Sequence, residues 1–155
     1  MPEPEVESFT ATVLAIFKAN GQLISWGDRF VAPFGLTSAR WQILGALAFA
    51  GEPIATPRIA YSMGVTRQGA RKQLNLLLAE GLVCKRHNPF HKRSPLYELT
   101  DDGRRTYEAV QAAWVAHARS VSPSLSQEDL ETTVRTLATF GNLHSQPDAV
   151  EDDEG

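Results

Sequence analysis

Apolar positions recur every three or four residues along most of the chain, the period of helices with one buried face. Phe9, Val13, Ile16, Phe17, Leu23, Ile24, Phe30 and Val31 carry the pattern through residues 6–31. Asn20, Gly21 and Gly27 weaken it, and a bend or break is expected there. Residues 1–7, acidic and with two prolines, read as a loose lead-in; Pro33 and Gly35 end the helix. Thr37 or Ser38 starts a second helix, with Trp41, Leu44, Leu47 and Ala48 inward and Gly51 as its stop. Glu52 to Ala55 is a short connector that offers one bridge of a third strand. Beyond residue 100, Asp101 and Asp102 are placed to cap and charge a helix start, and Gly103 allows close packing there. Tyr107, Val110, Trp114, His117, Ala118 and Val121 form its apolar stripe, which Ser122-Pro123-Ser124 breaks. A last helix follows Ser126, with Leu130, Val134, Leu137, Ala138 and Gly141 on one face. Residues 145–155 are polar, end in an acidic run and read as a disordered tail.

The pattern changes between Thr56 and Thr100. Thr56 is placed to cap a short helix, with Pro57 in its first turn and Ile59, Ala60 and Met63 as its apolar face. Gly64 supplies a turn with positive φ, and Thr66 caps the next helix, over about Arg67 to Glu80. Gly69 stands where the Glu or Gln of a full capping box would sit. Ala70, Leu74, Leu77 and Leu78 fall on one side of this helix; Arg67, Gln68, Arg71 and Lys72 fall on the other, in its N-terminal half. Gly81 ends it. Leu82-Val83-Cys84 begins a strand and Leu96-Tyr97-Glu98-Leu99 returns, around a proline-stiffened loop that holds Lys85, Arg86, His87, His91, Lys92 and Arg93. Helix, glycine turn, basic helix and basic hairpin, in that order, predict a winged helix-turn-helix that sets one helix in the DNA major groove. Arg can pair bidentately with guanine and Gln with adenine, and a cationic finger suits phosphates or the minor groove. The bland alternative is a solvated basic face on an ordinary helix.

Several segments resemble the MarR family of bacterial transcription regulators. They are Leu36-Thr37-Ser38-Ala39-Arg40-Trp41, the Thr66-Arg67-Gln68 helix start, Glu80-Gly81-Leu82-Val83, and His91-Lys92-Arg93 followed by Leu99-Thr100-Asp101-Asp102-Gly103. The similarity spans about residues 30–115, and the flanking helices fit by position only. The family's wing usually begins Asp-x-Arg; here His91 replaces the Asp, while Lys92 and Arg93 keep a basic pair. The resemblance implies that Arg93 enters the minor groove and that residues 66–73 read the major groove. It also implies that Trp26, Phe30, Phe34 and Trp41 flank a region where many members bind small aromatic or phenolic compounds. The simpler alternative is that these four aromatics are core.

Overall charge changes the picture only when it is divided. The net charge of −3 argues against a nucleic-acid binder. Residues 58–105, however, hold ten Lys/Arg against four Asp/Glu, and the remainder five against fourteen. The basic balance is confined to the predicted DNA-binding stretch, where it can attract phosphates. Arg58, Thr66, Arg67, Gln68, Arg71, Lys72, His91, Lys92 and Arg93 are therefore the candidate DNA-binding residues, with Arg58 and Arg104 as phosphate contacts.

The 155 residues are read as one domain: a DNA-binding lobe over 36–100, and helices over 6–31 and 101–144 that form a dimerisation lobe. Those outer helices carry more apolar surface than a small winged domain can cover, which predicts a two-fold homodimer. The fold class is thus mainly α with a small β-hairpin wing. No apolar run approaches the roughly 18 residues of a membrane span and no signal peptide is seen, so a cytoplasmic location is expected. Cys84 is the sole cysteine. Its strand position reads as a buried structural thiol; Lys85 and Arg86 would activate it as a redox sensor if it were exposed. The four histidines form no metal pattern, and no cofactor is expected. No catalytic constellation argues for an enzyme. The expected function is a sequence-specific homodimeric repressor on a pseudo-palindromic operator, released by a small aromatic ligand; the alternative is a winged-helix protein-interaction module that does not read DNA.

Overall fold

The computed structural model describes residues 3–145. Its elements are α1 (Pro4–Val31), α2 (Ser38–Ala50), β1 (Ile54–Ala55), α3 (Thr56–Met63), α4 (Arg67–Ala79), β2 (Val83–Arg86), β3 (Leu96–Leu99), α5 (Asp101–Val121) and α6 (Gln127–His144). The strands make one antiparallel sheet in the order β1-β3-β2. This is the mainly helical winged helix-turn-helix that the pattern predicts. The expected third strand is present: Ile54 pairs with Tyr97 and Ala55 with Leu96. The acidic tail from residue 146 onward lies outside the described residues.

Two compact units divide the chain between Ala113 and Trp114. Among the described residues, the buried core lies in the first. Val31 of α1, Leu36, Ile43, Leu44 and Leu47 of the α2 region, Ile59 and Ala60 of α3, Ala70, Leu74 and Leu77 of α4, Val83 and Tyr97 of the sheet and Val110 of α5 form one cluster. Each helix buries one face here, so the hydrophobic effect fixes how α2, α3 and α4 lie against the sheet.

Helix α1 begins at Pro4, earlier than expected, and runs without a break to Val31. The helix is not broken at Asn20, Gly21 or Gly27, and Gly27 serves a contact. It is buried against α2, and a Cβ there would meet the Ser38 hydroxyl oxygen at 2.4 Å. The Ser38 hydroxyl donates to the Ile24 carbonyl at 2.8 Å, and the Ser38 amide donates to Asp28 Oδ1 at 2.7 Å. Asp28 thus satisfies a free amide at the start of α2, one that the helix cannot pair internally.

Two further helix starts differ from expectation. Ala55 is the residue before α3, and Thr56 is already helical and buried. Ala55 is held extended by its pairing in β1, so the helix starts one residue earlier. At α5 the cap is Thr100: its hydroxyl accepts the Gly103 amide at 3.0 Å. Asp101 and Asp102 lie inside the first turn, where they complement the positive end of the helix.

The second unit holds the end of α5, a 3-10 turn at Ser122–Ser124, and α6. Ser126 caps α6 by accepting the Asp129 amide at 3.0 Å. No residue of α6 is buried, and Leu130, Val134, Leu137 and Leu143 are exposed.

Candidate nucleic-acid interface

The turn between α3 and α4 is closed by backbone geometry. Gly64 has φ +65°, and the Gly64 and Val65 amides return to the Tyr61 and Ala60 carbonyls at 3.2 and 3.1 Å. That left-handed conformation is open to glycine with little strain. Thr66 then opens α4, its hydroxyl accepting the Gly69 amide at 3.0 Å. A Cβ on residue 69 would come within 3.1 Å of that hydroxyl, so glycine here keeps the cap tight.

Helix α4 has the predicted polarity. Ala70, Leu74 and Leu77 are buried on one side. Arg67, Gln68, Arg71 and Lys72 are exposed on the other, and among the described residues none of the three cations forms an ion pair. Thr66, Gln68, Gly69, Arg71, Lys72, Asn75 and Leu76 line one shallow concave surface. Asn75 and Leu76 were not singled out from the sequence. Asn75 stands one helical turn beyond Arg71, and that i,i+4 spacing was the available signal. Its amide has the donor and acceptor pair that matches adenine. At the other end of the helix Arg40 of α2 forms an ion pair with Glu80, with the Arg40 side chain only 14% exposed. This pair ties the end of the basic helix to α2.

The wing is a two-stranded hairpin whose register places Lys85 opposite Tyr97 and Arg86 opposite Leu96. Its loop is ordered by Asn88. The Asn88 side-chain amide donates to the Ser94 carbonyl at 2.9 Å, and its Oδ1 accepts the Phe90 amide at 3.1 Å. The His91 and Ser94 amides add turns to the Asn88 and His91 carbonyls at 3.3 and 3.2 Å. His91, Lys92 and Arg93 are all exposed on this frame. Arg86 is engaged differently: Glu98 pairs with it, and that hydrogen bond and charge hold its guanidinium above its ordinary pKa. Cys84 is half-buried rather than fully buried, with its sulfur 3.8 Å from the Glu98 carboxylate. Arg58 is exposed and paired with Glu52 at 2.9 Å; Arg104 is exposed on the first turn of α5.

The wing is fastened to α5 at Thr100. Its hydroxyl donates to the Gly81 carbonyl at 2.6 Å, and its amide donates to the Leu82 carbonyl at 3.1 Å. Gly103 presses on the same place: a Cβ there would stand 1.9 Å from the Leu82 carbonyl oxygen. The Leu-Thr-x-x-Gly segment is therefore a clasp between the end of α4, the hairpin and α5.

The four aromatics near the α1–α2 junction lie together in part. Trp26 stacks on Phe30 with centroids 4.7 Å apart, and Phe30 meets Trp41 at 5.7 Å. Phe30, Phe34 and Trp41 pack on the core. Trp26 also borders an open groove along α1 with Phe17, Gly21, Gln22 and Ser25. Among the described residues no group of His, Cys, Asp and Glu is placed to hold a metal, and no helix is long and apolar enough to cross a membrane.

Comparison with known proteins agrees with this geometry. Residues 34–94 match the family model described as MarR family. The uncharacterized protein Rv2011c of Mycobacterium tuberculosis is 34% identical over 125 residues, which cover 81% of this chain and 86% of that protein. Among solved structures, the transcriptional repressor CouR bound to a 23-mer DNA duplex superposes with a TM-score of 0.72 at 24% identity, covering 91% of this chain and 98% of that one. CouR from Rhodococcus jostii RHA1 bound to p-coumaroyl-CoA gives a TM-score of 0.72 at 19% identity, over 81% of this chain and 88% of that one. At such identities the structural likeness establishes the fold alone. Taken with the family model, the glycine turn, the basic face of α4 and the clasped wing, it places the chain in the MarR family of winged helix-turn-helix transcription regulators.

Proposed function

We propose that the chain is a homodimeric, sequence-specific repressor that binds a pseudo-palindromic operator. The observation that carries this reading is the polarity of α4: its leucines are buried while Arg67, Gln68, Arg71 and Lys72 stand exposed and without ion pairs among the described residues. With Asn75 these side chains supply donors and acceptors for base edges, while His91, Lys92 and Arg93 on the wing supply phosphate and minor-groove affinity. Arg58 contributes a weaker phosphate contact because Glu52 already meets its charge.

The dimer follows from uncovered apolar surface. Phe17 and Leu23 on α1 are 69% and 64% exposed, and Val134 on α6 is 68% exposed. Two copies that bury these faces against each other would present two α4 helices about one DNA turn apart, ~34 Å. A cytoplasmic location accompanies the function. The Trp26–Phe30–Trp41 cluster supports an aromatic effector, and CouR, a protein of similar fold, is bound to p-coumaroyl-CoA in its crystal structure. Tryptophan fluorescence against phenolic acids and their thioesters tests that part; an unchanged spectrum and unchanged DNA binding would remove it.

Selection of bound DNA from a random pool tests the central reading. The expected product is a two-fold symmetric site with half-sites one turn apart. The quadruple variant Arg67→Ala/Gln68→Ala/Arg71→Ala/Lys72→Ala should lose that site while remaining folded. Equal binding by the variant would refute the assignment.

A further inference from the structure

The wing carries one residue that phosphate binding does not use. Phe90 in the wing loop is 95% exposed, and in sequence it lies between His87 and the run His91-Lys92-Arg93. A single exposed apolar side chain ordinarily needs no explanation. Here two features set it apart. Its backbone is fixed: the Phe90 amide bonds Asn88 Oδ1 at 3.1 Å, and Asn88 in turn closes the loop on the Ser94 carbonyl at 2.9 Å. Lys92 and Arg93 follow it by two and three positions in the same loop, so the element that approaches phosphates carries the ring with it.

The geometry points to Phe90 as an apolar wedge that enters the DNA minor groove and parts a base step, and so selects for pliable sequence at the edge of each half-site. This rests on the DNA-binding reading above. Cationic side chains flanking the ring can hold the two phosphate rims of the groove, while the ring meets sugars and base faces between them. Minor-groove proteins that insert Phe, Leu or Ile between base pairs unstack one step and bend the duplex toward the major groove. The cost of that deformation depends on sequence. Pyrimidine–purine steps open readily and A-tracts resist, so a wedge reads stiffness at positions that no hydrogen bond touches. A ring on a fixed backbone loses little freedom when it inserts, since only two side-chain torsions are ordered.

The test uses the full-length chain and the duplex that it selects from a random pool. One strand carries 2-aminopurine beside each wing position, and the duplex ends carry a fluorescence-transfer pair that reports bending. The wild type should raise 2-aminopurine emission and bend the duplex. Phe90→Ala should lose both signals and bind about tenfold more weakly, the size expected from one aromatic–base contact. Its salt slope should stay unchanged, because a phenyl ring displaces no counterions, whereas Arg93→Ala should flatten that slope by about one. Phe90→Leu should keep most of the bend. Phe90 touches no core residue, so melting of Phe90→Ala at the wild-type temperature shows that the loss is local. Equal affinity and equal bending for wild type and Phe90→Ala would overturn the wedge while leaving DNA binding intact. Failure of the wild type to select any duplex would instead overturn the function on which it rests. Loss of binding to phosphatidylserine vesicles in Phe90→Ala, with DNA behaviour unchanged, would assign the ring to a membrane surface and likewise overturn the wedge.

Discussion

Replacing Gly103 by alanine sets two effects against each other, and the structure decides which wins. In an ordinary helix this change stabilises by about 1 kcal/mol, because alanine is the better helix former. At this position the new Cβ would lie 1.9 Å from the Leu82 carbonyl oxygen and 2.9 Å from its carbon. Both are backbone atoms, so no side-chain rotation relieves the clash. Reaching ordinary contact needs a separation of about 1.5 Å between α5 and the start of the hairpin. Such overpacking costs about 1–3 kcal/mol, and occasionally more. The displacement also strains the Thr100 amide bond to Leu82 and the Thr100 hydroxyl bond to Gly81, each contributing about 1 kcal/mol. The expected net loss is about 2–4 kcal/mol. Urea unfolding followed by tryptophan fluorescence, at a fixed protein concentration since a dimer's stability depends on it, measures the loss. A Gly103→Ala protein as stable as the wild type would show that the clasp has slack and that the reasoning is wrong.

Other expectations can be checked with the same preparations. Arg71→Ala should lose about 1–3 kcal/mol at the selected site and relax preference at one base, as read by gel shift on site variants. Lys92→Ala should weaken every duplex alike and lower the salt slope by about one in a fluorescence titration. Gly27→Ala should destabilise by about 1–2 kcal/mol in the wild type and by clearly less beside Ser38→Ala, since the obstacle is the Ser38 hydroxyl; a double-mutant cycle in urea reads this coupling. Arg40→Ala should cost about 1 kcal/mol in urea and weaken DNA binding, because it frees the end of α4 from α2; unchanged affinity would reduce Arg40 to a packing role.

The features legible in the sequence were those set by spacing within one element. Leu74 and Leu77 against Arg67, Arg71 and Lys72 gave the polarity of α4, and Leu82-Val83 and Leu96–Leu99 gave the hairpin. What spacing could not supply was the meaning of residues whose partners lie elsewhere in the chain. Gly27 reads as a helix breaker until Ser38 is seen against it, and Asp28 reads as surface until it reaches the Ser38 amide. Thr100 is overshadowed by Asp101 and Asp102, which look like better caps, until the Gly81 and Gly103 contacts appear. Arg40 and Glu80 are forty positions apart and carry no shared signal. Asn75 shares the helical period of Arg71 but lies beyond the N-terminal half of α4, where base contacts are expected.

Between Leu99, the last residue of β3, and Asp101, the first of α5, only Thr100 intervenes. A junction of that length has no slack to absorb rotation. Any twist of α5 about its own axis must be geared directly into the hairpin, tilting the finger that it carries. Under the proposed function, a ligand that rotated α5 would reposition the wing through this junction without itself approaching nucleic acid.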